Sequence, residues 1–188
     1  MTIDNIISAY SDLCSFCDTF WKQTAAAYPD QFACGKGCSI CCELETVVPL
    51  EAYVIFTRLH EPGSFDKSNL LRTSSCPFLH KGLCAIYRCR PVICRTHGLP
   101  LSGRDIPSGL TVSCSFNFTT TELASINKEF FLDIDKVNEN LIRLNFIFCS
   151  SLGNRELASQ RILLKDILTD RLPEEILKTK RGGLSDGG

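Results

Sequence analysis

The sequence holds no apolar run long enough to cross a bilayer. Its start, Met-Thr-Ile-Asp, offers neither the basic opening nor the small-residue cleavage site of an export signal. These two gaps predict a cytoplasmic protein that stays off the membrane. There is no glycine-rich loop between a strand and a helix, and no paired acid–base constellation, which disfavours nucleotide-dependent and general acid–base enzymes. A net charge of −1 supplies no overall field for nonspecific nucleic-acid binding. Internal repeats and linkers are also missing. The 188 residues are therefore expected to make one domain over residues 1–180, with a flexible tail over 181–188.

One absence is local. Residues 67–104 contain no acidic side chain, yet they carry Lys67, Arg72, Lys81, Arg88, Arg90, Arg95 and Arg104. Cys76, Cys84, Cys89 and Cys94 lie in the same stretch. Thiols must shed their protons to bind metal, and several thiolates around one divalent ion leave excess negative charge. The cations are read first as compensating those thiolates. A solvated basic face, or a patch for an acidic protein partner, is the alternative.

Cysteine is what the chain has in quantity, 12 residues in all. In a reducing compartment such thiols serve as ligands or redox centres, and a disulfide scaffold would require export. They are also bunched. Cys34, Cys38, Cys41 and Cys42 crowd into one short stretch, with Gly35 and Gly37 easing the turns between them. Cys76, Cys84, Cys89, Cys94 and Cys114 follow as a second run. The two clusters read as halves of one polythiolate metal site. Thiolates are soft ligands that select zinc or iron, and four sulfurs suit a tetrahedral ion or an iron–sulfur cluster. Adjacent Cys41 and Cys42 point differently along the backbone, so they serve different ions or one supports the other.

Around these clusters the periodicity predicts helices. Ile3, Ile6, Tyr10, Cys14, Cys17, Trp21 and Thr24 share one face of a helix over 3–25, closed by Pro29. Cys14 and Cys17 form a C-x2-C, but on an apolar stripe free cysteine packs as a small hydrophobe, so burial is expected rather than ligation. Pro49 opens a helix to about Leu59 with Glu51 in its first turn, and Gly63 to Ser75 reads as a loop. Cys76 to Tyr87 reads as a hairpin turning at Lys81-Gly82, and Arg90-Pro91 starts a short helix or turn carrying Cys94, Arg95 and His97. Residues 98–113, rich in glycine and proline, are expected to be irregular. A long threonine-capped helix is expected from Thr121-Glu122 to Phe148, another helix over 154–170, and a last short turn from Pro173. The fold class is mainly α: helices flanking an irregular, cysteine-rich, metal-stapled centre at about 30–118 with a short hairpin.

The second run contains Cys76-Pro77-Phe78-Leu79, Cys84-Ala85-Ile86-Tyr87, Arg90-Pro91 and Cys94-Arg95, and then Cys114-Ser115-Phe116-Asn117-Phe118. In these motifs the chain resembles the YkgJ-type cysteine-cluster family, the zinc- or iron-chelating CxxCxxCC proteins. The first run departs from that pattern by one residue, C-x3-C-x2-C-C. The resemblance implies metal ligation by Cys34, Cys38, Cys41, Cys42, Cys76, Cys84, Cys94 and Cys114. Eight sulfurs would serve two four-thiolate zinc sites, or one iron–sulfur cluster with thiols to spare. Cys89 lies outside the pattern and stands in reserve. Arg95 and Tyr87 are expected to donate hydrogen bonds to thiolates, and His97 to be polar surface. The leading function is metal chelation, with the ion as partner. The alternative is a metal-dependent enzyme or redox partner in protein modification, since the cysteine segment also resembles that of flagellin lysine methylases. Nucleic acid is disfavoured, because the ligand order is not that of a zinc finger.

Overall fold

A computed structural model describes residues 1–35, 37–62, 76–106, 109–112 and 114–182. Helix α1 spans Ile3–Ala27, started by the Thr2 hydroxyl, which accepts from the Asn5 amide. Its stripe of Ile6, Tyr10, Cys14, Cys17 and Thr24 is buried as the periodicity predicts. Helix α2, Pro49–Leu59, begins at its proline because that residue needs no amide partner in the first turn. Helix α3 (Val92–Thr96) packs on α1, while α4 (Ile134–Ser151) packs on both α1 and α2. Helix α5 (Leu164–Leu168) lies on α2, and α6 covers Glu174–Gly182. Fully buried Ile6, Leu50, Ile55, Phe78, Phe148, Leu164 and Ile167 form one core, and mainly helical architecture is what surrounds it. Among the described residues no helix is long and apolar enough to cross a membrane.

The strands are short. Strand β1 (Thr46–Val47) pairs antiparallel with β7 (Ile162–Leu163), so the segment after the first cysteine run is clamped to the C-terminal part. Strands β2 (Leu79–His80) and β3 (Leu83–Cys84) form the expected hairpin, and Lys81 and Gly82 take positive φ of 49° and 73° at its turn. Strand β4 (Pro100–Ser102) pairs antiparallel with β5 (Leu110–Val112) and parallel with β6 (Leu132–Asp133).

Three expectations are corrected. Residues 98–113 are not wholly irregular: Pro100 opens strand β4, and Gly98, Gly103 and Gly109 flank strands β4 and β5. The long helix begins at Ile134, where the Asp133 carboxylate accepts from the Lys136 amide, and not near Thr121. Before it, Leu123–Ser125 and Lys128–Phe130 are single 3₁₀ turns. The Asn127 side chain accepts from the Glu129 amide there, competing with helix. Ile126 and Phe131 are buried instead in a separate cluster with Phe118, against which Tyr28 and Phe32 pack. Residues 154–170 are likewise not one helix. A turn at Glu156–Ser159 precedes β7, whose pairing with β1 overrides local helix propensity. The loop expected over Gly63–Ser75 lies outside the described residues, as does the tail beyond Gly182, and α6 runs into the residues expected to open that tail.

Candidate metal centre

The first cysteine run is held by tight turns: the Cys38 amide donates to the Gly35 carbonyl and the Cys42 amide to the Ser39 carbonyl, at 3.0 and 2.9 Å. In the hairpin the amides of Phe78 and Leu79 donate to the Cys76 sulfur, and the Ile86 amide donates to the Cys84 sulfur. Such N–H donors stabilise a sulfur that carries charge. The turn of the hairpin abuts the first run, since a Cβ on Gly82 would stand 3.4 Å from the Gly37 carbonyl oxygen.

The thiols sort by which neighbours they feel. Burial pushes the Cys34 thiol up, a hydrogen bond from Asn117 pulls it back, and negative charge on Cys114, Cys38 and Cys41 raises it again. Burial also raises Cys41, beside Cys38 and Cys114. Cys42 is pushed up to about 11 by burial, then by Cys41, Cys76 and Cys84. Cys94 is exposed as a residue, yet burial of its thiol and the charges of Cys84, Cys76 and Cys42 push it up to about 12. Cys34 and Cys41 thus stand near Cys38 and Cys114, and Cys42 and Cys94 near Cys76 and Cys84, while the Cys41 and Cys42 side chains hydrogen-bond to each other across the two sets. Cys89 sits beside Cys84 and is raised to about 11, by burial first. None of the 12 cysteines is joined in a disulfide.

The second group hangs from the helical frame. The buried Glu51 carboxylate accepts from the Val92 amide at 2.9 Å, from the Val48 amide and from the Tyr10 hydroxyl. It thereby joins the start of α2 to the start of α3, which carries Cys94. Asp18 of α1 accepts from Arg90 at 2.7 Å and from Arg95. The remaining Arg95 donors go to the carbonyls of Arg90 and Arg88. This corrects the expected role of Arg95, whose guanidinium braces the backbone around Cys89. Tyr87 is 62 % exposed and lies under the Arg90 guanidinium rather than against a sulfur. Burial raises both Cys84 and Cys89 on balance, and nearby cations offset part of that rise, Arg90 at Cys84 and Arg58 and Arg95 at Cys89. Arg104 instead pairs with Asp135 and Glu139, while Lys67 and Arg72 lie outside the described residues. His97 follows α3, half-buried, and burial lowers its pKa.

Sequence reasoning gave no role to Asn117 or Gly98. Asn117 is 4 % exposed, accepts from the Ala33 amide and donates to the Gly98 carbonyl and to the Cys34 sulfur. Gly98 has φ of 85°, and a Cβ there would meet the Asn117 amide nitrogen at 2.6 Å. The sequence marks Asn117 only as part of the motif Cys114-Ser115-Phe116-Asn117-Phe118, without a partner, and Gly98 only as a glycine after a short helix.

Four soft donors in each group match zinc or iron in chemistry. Among the described residues, no three His, Cys, Asp or Glu side chains already stand in a metal-ligating arrangement. No curated protein and no solved structure matches the chain. A family model named CxxCxxCC, described as "Putative zinc- or iron-chelating domain", matches residues 33–116. Those residues contain both cysteine groups entire. That is the family whose motifs the cysteine-rich middle resembles, and the match covers just under half of the chain.

Proposed function

We propose that this protein chelates two metal ions, each in a site of four thiolates. Cys34, Cys38, Cys41 and Cys114 make the first site, and Cys42, Cys76, Cys84 and Cys94 the second. What supports this reading is that Cys34 and Cys41 feel Cys38 and Cys114, whereas Cys42 and Cys94 feel Cys76 and Cys84, all within the matched residues 33–116. A single iron–sulfur cluster would use only one such set, so two tetrahedral zinc ions fit the division better. Amide donors at Cys76 and Cys84 and the Arg90 cation near Cys84 offset part of the burial that raises both thiols, which favours thiolate once a metal is bound. Because Cys38 and Cys41 are exposed, the first site is open to loading from solvent. Four-sulfur zinc sites are closed ones, so the role is structural chelation that shapes the loops rather than catalysis.

Elemental analysis of anaerobically purified protein, alongside its absorption spectrum, tests this. Two equivalents of zinc in colourless protein are expected. A brown protein holding four irons, or one metal equivalent at saturation, overturns the two-site reading.

A further inference from the structure

We infer that Asn117 holds Cys34 in place as a ligand and ties the first thiol set to the segment that carries Cys94, a positioning role that rests on the two-site reading above. The hydrogen-bond network fixes which way its amide points. The Ala33 amide is a donor, so it needs Oδ1, at 3.0 Å; the Gly98 carbonyl is an acceptor, so it needs Nδ2, at 2.8 Å. The Cys34 sulfur then lies against both atoms, 3.6 Å from Oδ1 and 3.4 Å from Nδ2. As a thiol, Cys34 donates S–H to Oδ1. As a thiolate, it accepts N–H from Nδ2. One buried side chain thus meets the sulfur with both of its amide atoms while its other bonds fix it in place.

The same residue reaches the rest of the centre through its backbone. Its amide donates to the carbonyl of Cys114, the other ligand of this set drawn from outside the first run. Gly98 follows directly on α3 and His97, so the Asn117–Gly98 bond links the first set to the helix bearing Cys94 of the second. A side chain at 98 would fill the space the amide occupies.

The test compares full-length wild type with Asn117→Asp, which keeps an acceptor for Ala33 but loses the donor to sulfur and to Gly98. In titrations with zinc and with cobalt(II), Asn117→Asp is expected to bind its weaker equivalent about tenfold less tightly than wild type. Its cobalt–thiolate charge-transfer band at that equivalent should shift, while circular dichroism stays native. Wild-type affinity and spectrum in Asn117→Asp would overturn the inference alone, because two equivalents in wild type leave the two-site reading standing. If wild type takes up no metal, both fall. Should Asn117→Asp fail to fold, ¹⁵N-labelled wild type loaded with spin-half cadmium decides: the Asn117 side-chain amide should show coupling to the metal across the N–H···S bond. Its absence in a folded, cadmium-loaded sample overturns the inference.

Discussion

Cys14-x2-Cys17 and Cys38-x2-Cys41 share a spacing and have opposite surroundings. The first pair lies on α1, where residues three apart share a face, and that face is the core: Cys14 is 6 % and Cys17 0 % exposed. The second pair lies in a loop of tight turns, exposed, and faces other thiols. Burial raises Cys14, Cys17 and Cys41 alike, so a raised pKa does not distinguish a packing sulfur from a candidate ligand. The neighbours do. Cys17 feels the Cys14 thiol of its own helix, whereas Cys41 feels Cys38 and, from far along the chain, Cys114.

The sharpest break between the two regions is expected from Cys94→Ser. It should lose the metal of the second set and with it several kcal/mol of stability, since binding energy at a structural four-ligand site is folding energy, roughly 10 kcal/mol or more in small zinc modules. Metal content and thermal unfolding measure this, and a fully loaded Cys94→Ser would remove Cys94 from the ligand set. Next in size is Asp18→Asn, which strands the Arg95 guanidinium, itself 6 % exposed, without its carboxylate. A loss of about 3 kcal/mol is expected by denaturant unfolding, with two equivalents still bound at saturating zinc. Loss of an equivalent would mean that the helical frame builds the centre rather than bracing it. Gly98→Ala should cost about 1–3 kcal/mol, because the residue holds a left-handed φ and its new Cβ collides with Asn117. Unchanged stability would show that the 98–117 contact relaxes freely.

How much of this was legible follows from the range of the forces involved. Helices α1 and α2 could be read because their stripes and the Pro49 start are local signals. The hairpin could be read because Lys81-Gly82 must turn with positive φ. The helix expected over 154–170 failed because β7 is set by β1, far away in the chain. The early start of α4 failed because Ile126 and Phe131 answer to Phe118 rather than to their own helix. At the centre, cysteine spacing marked the thiols, but nothing local could say that Arg95 is spent on Asp18 or that Glu51 reaches Val92. Those are contacts between segments.

The smallest effect is expected where the comparison began, in the double change Cys14→Ala and Cys17→Ala. Each lost sulfur leaves a small void, costing about 1 kcal/mol at neutral pH, and metal content should stay at the wild-type value. The pH dependence adds a second signature. Burial first, then the charge of Cys14, pushes the Cys17 thiol up to about 12, whereas in the unfolded chain it titrates near ~8.5. Above ~8.5 the unfolded state therefore releases a proton that the folded state still holds, and stability falls with rising pH until the folded pKa is reached. Cys14, raised in the same direction, adds to that fall. The variant lacks both groups, so its deficit against wild type should be largest below ~8.5 and shrink steadily toward pH 12, as measured by unfolding at a series of pH values. A constant deficit across that window would mean that these thiols are not shielded as their burial requires, and a drop in bound metal would make them ligands after all.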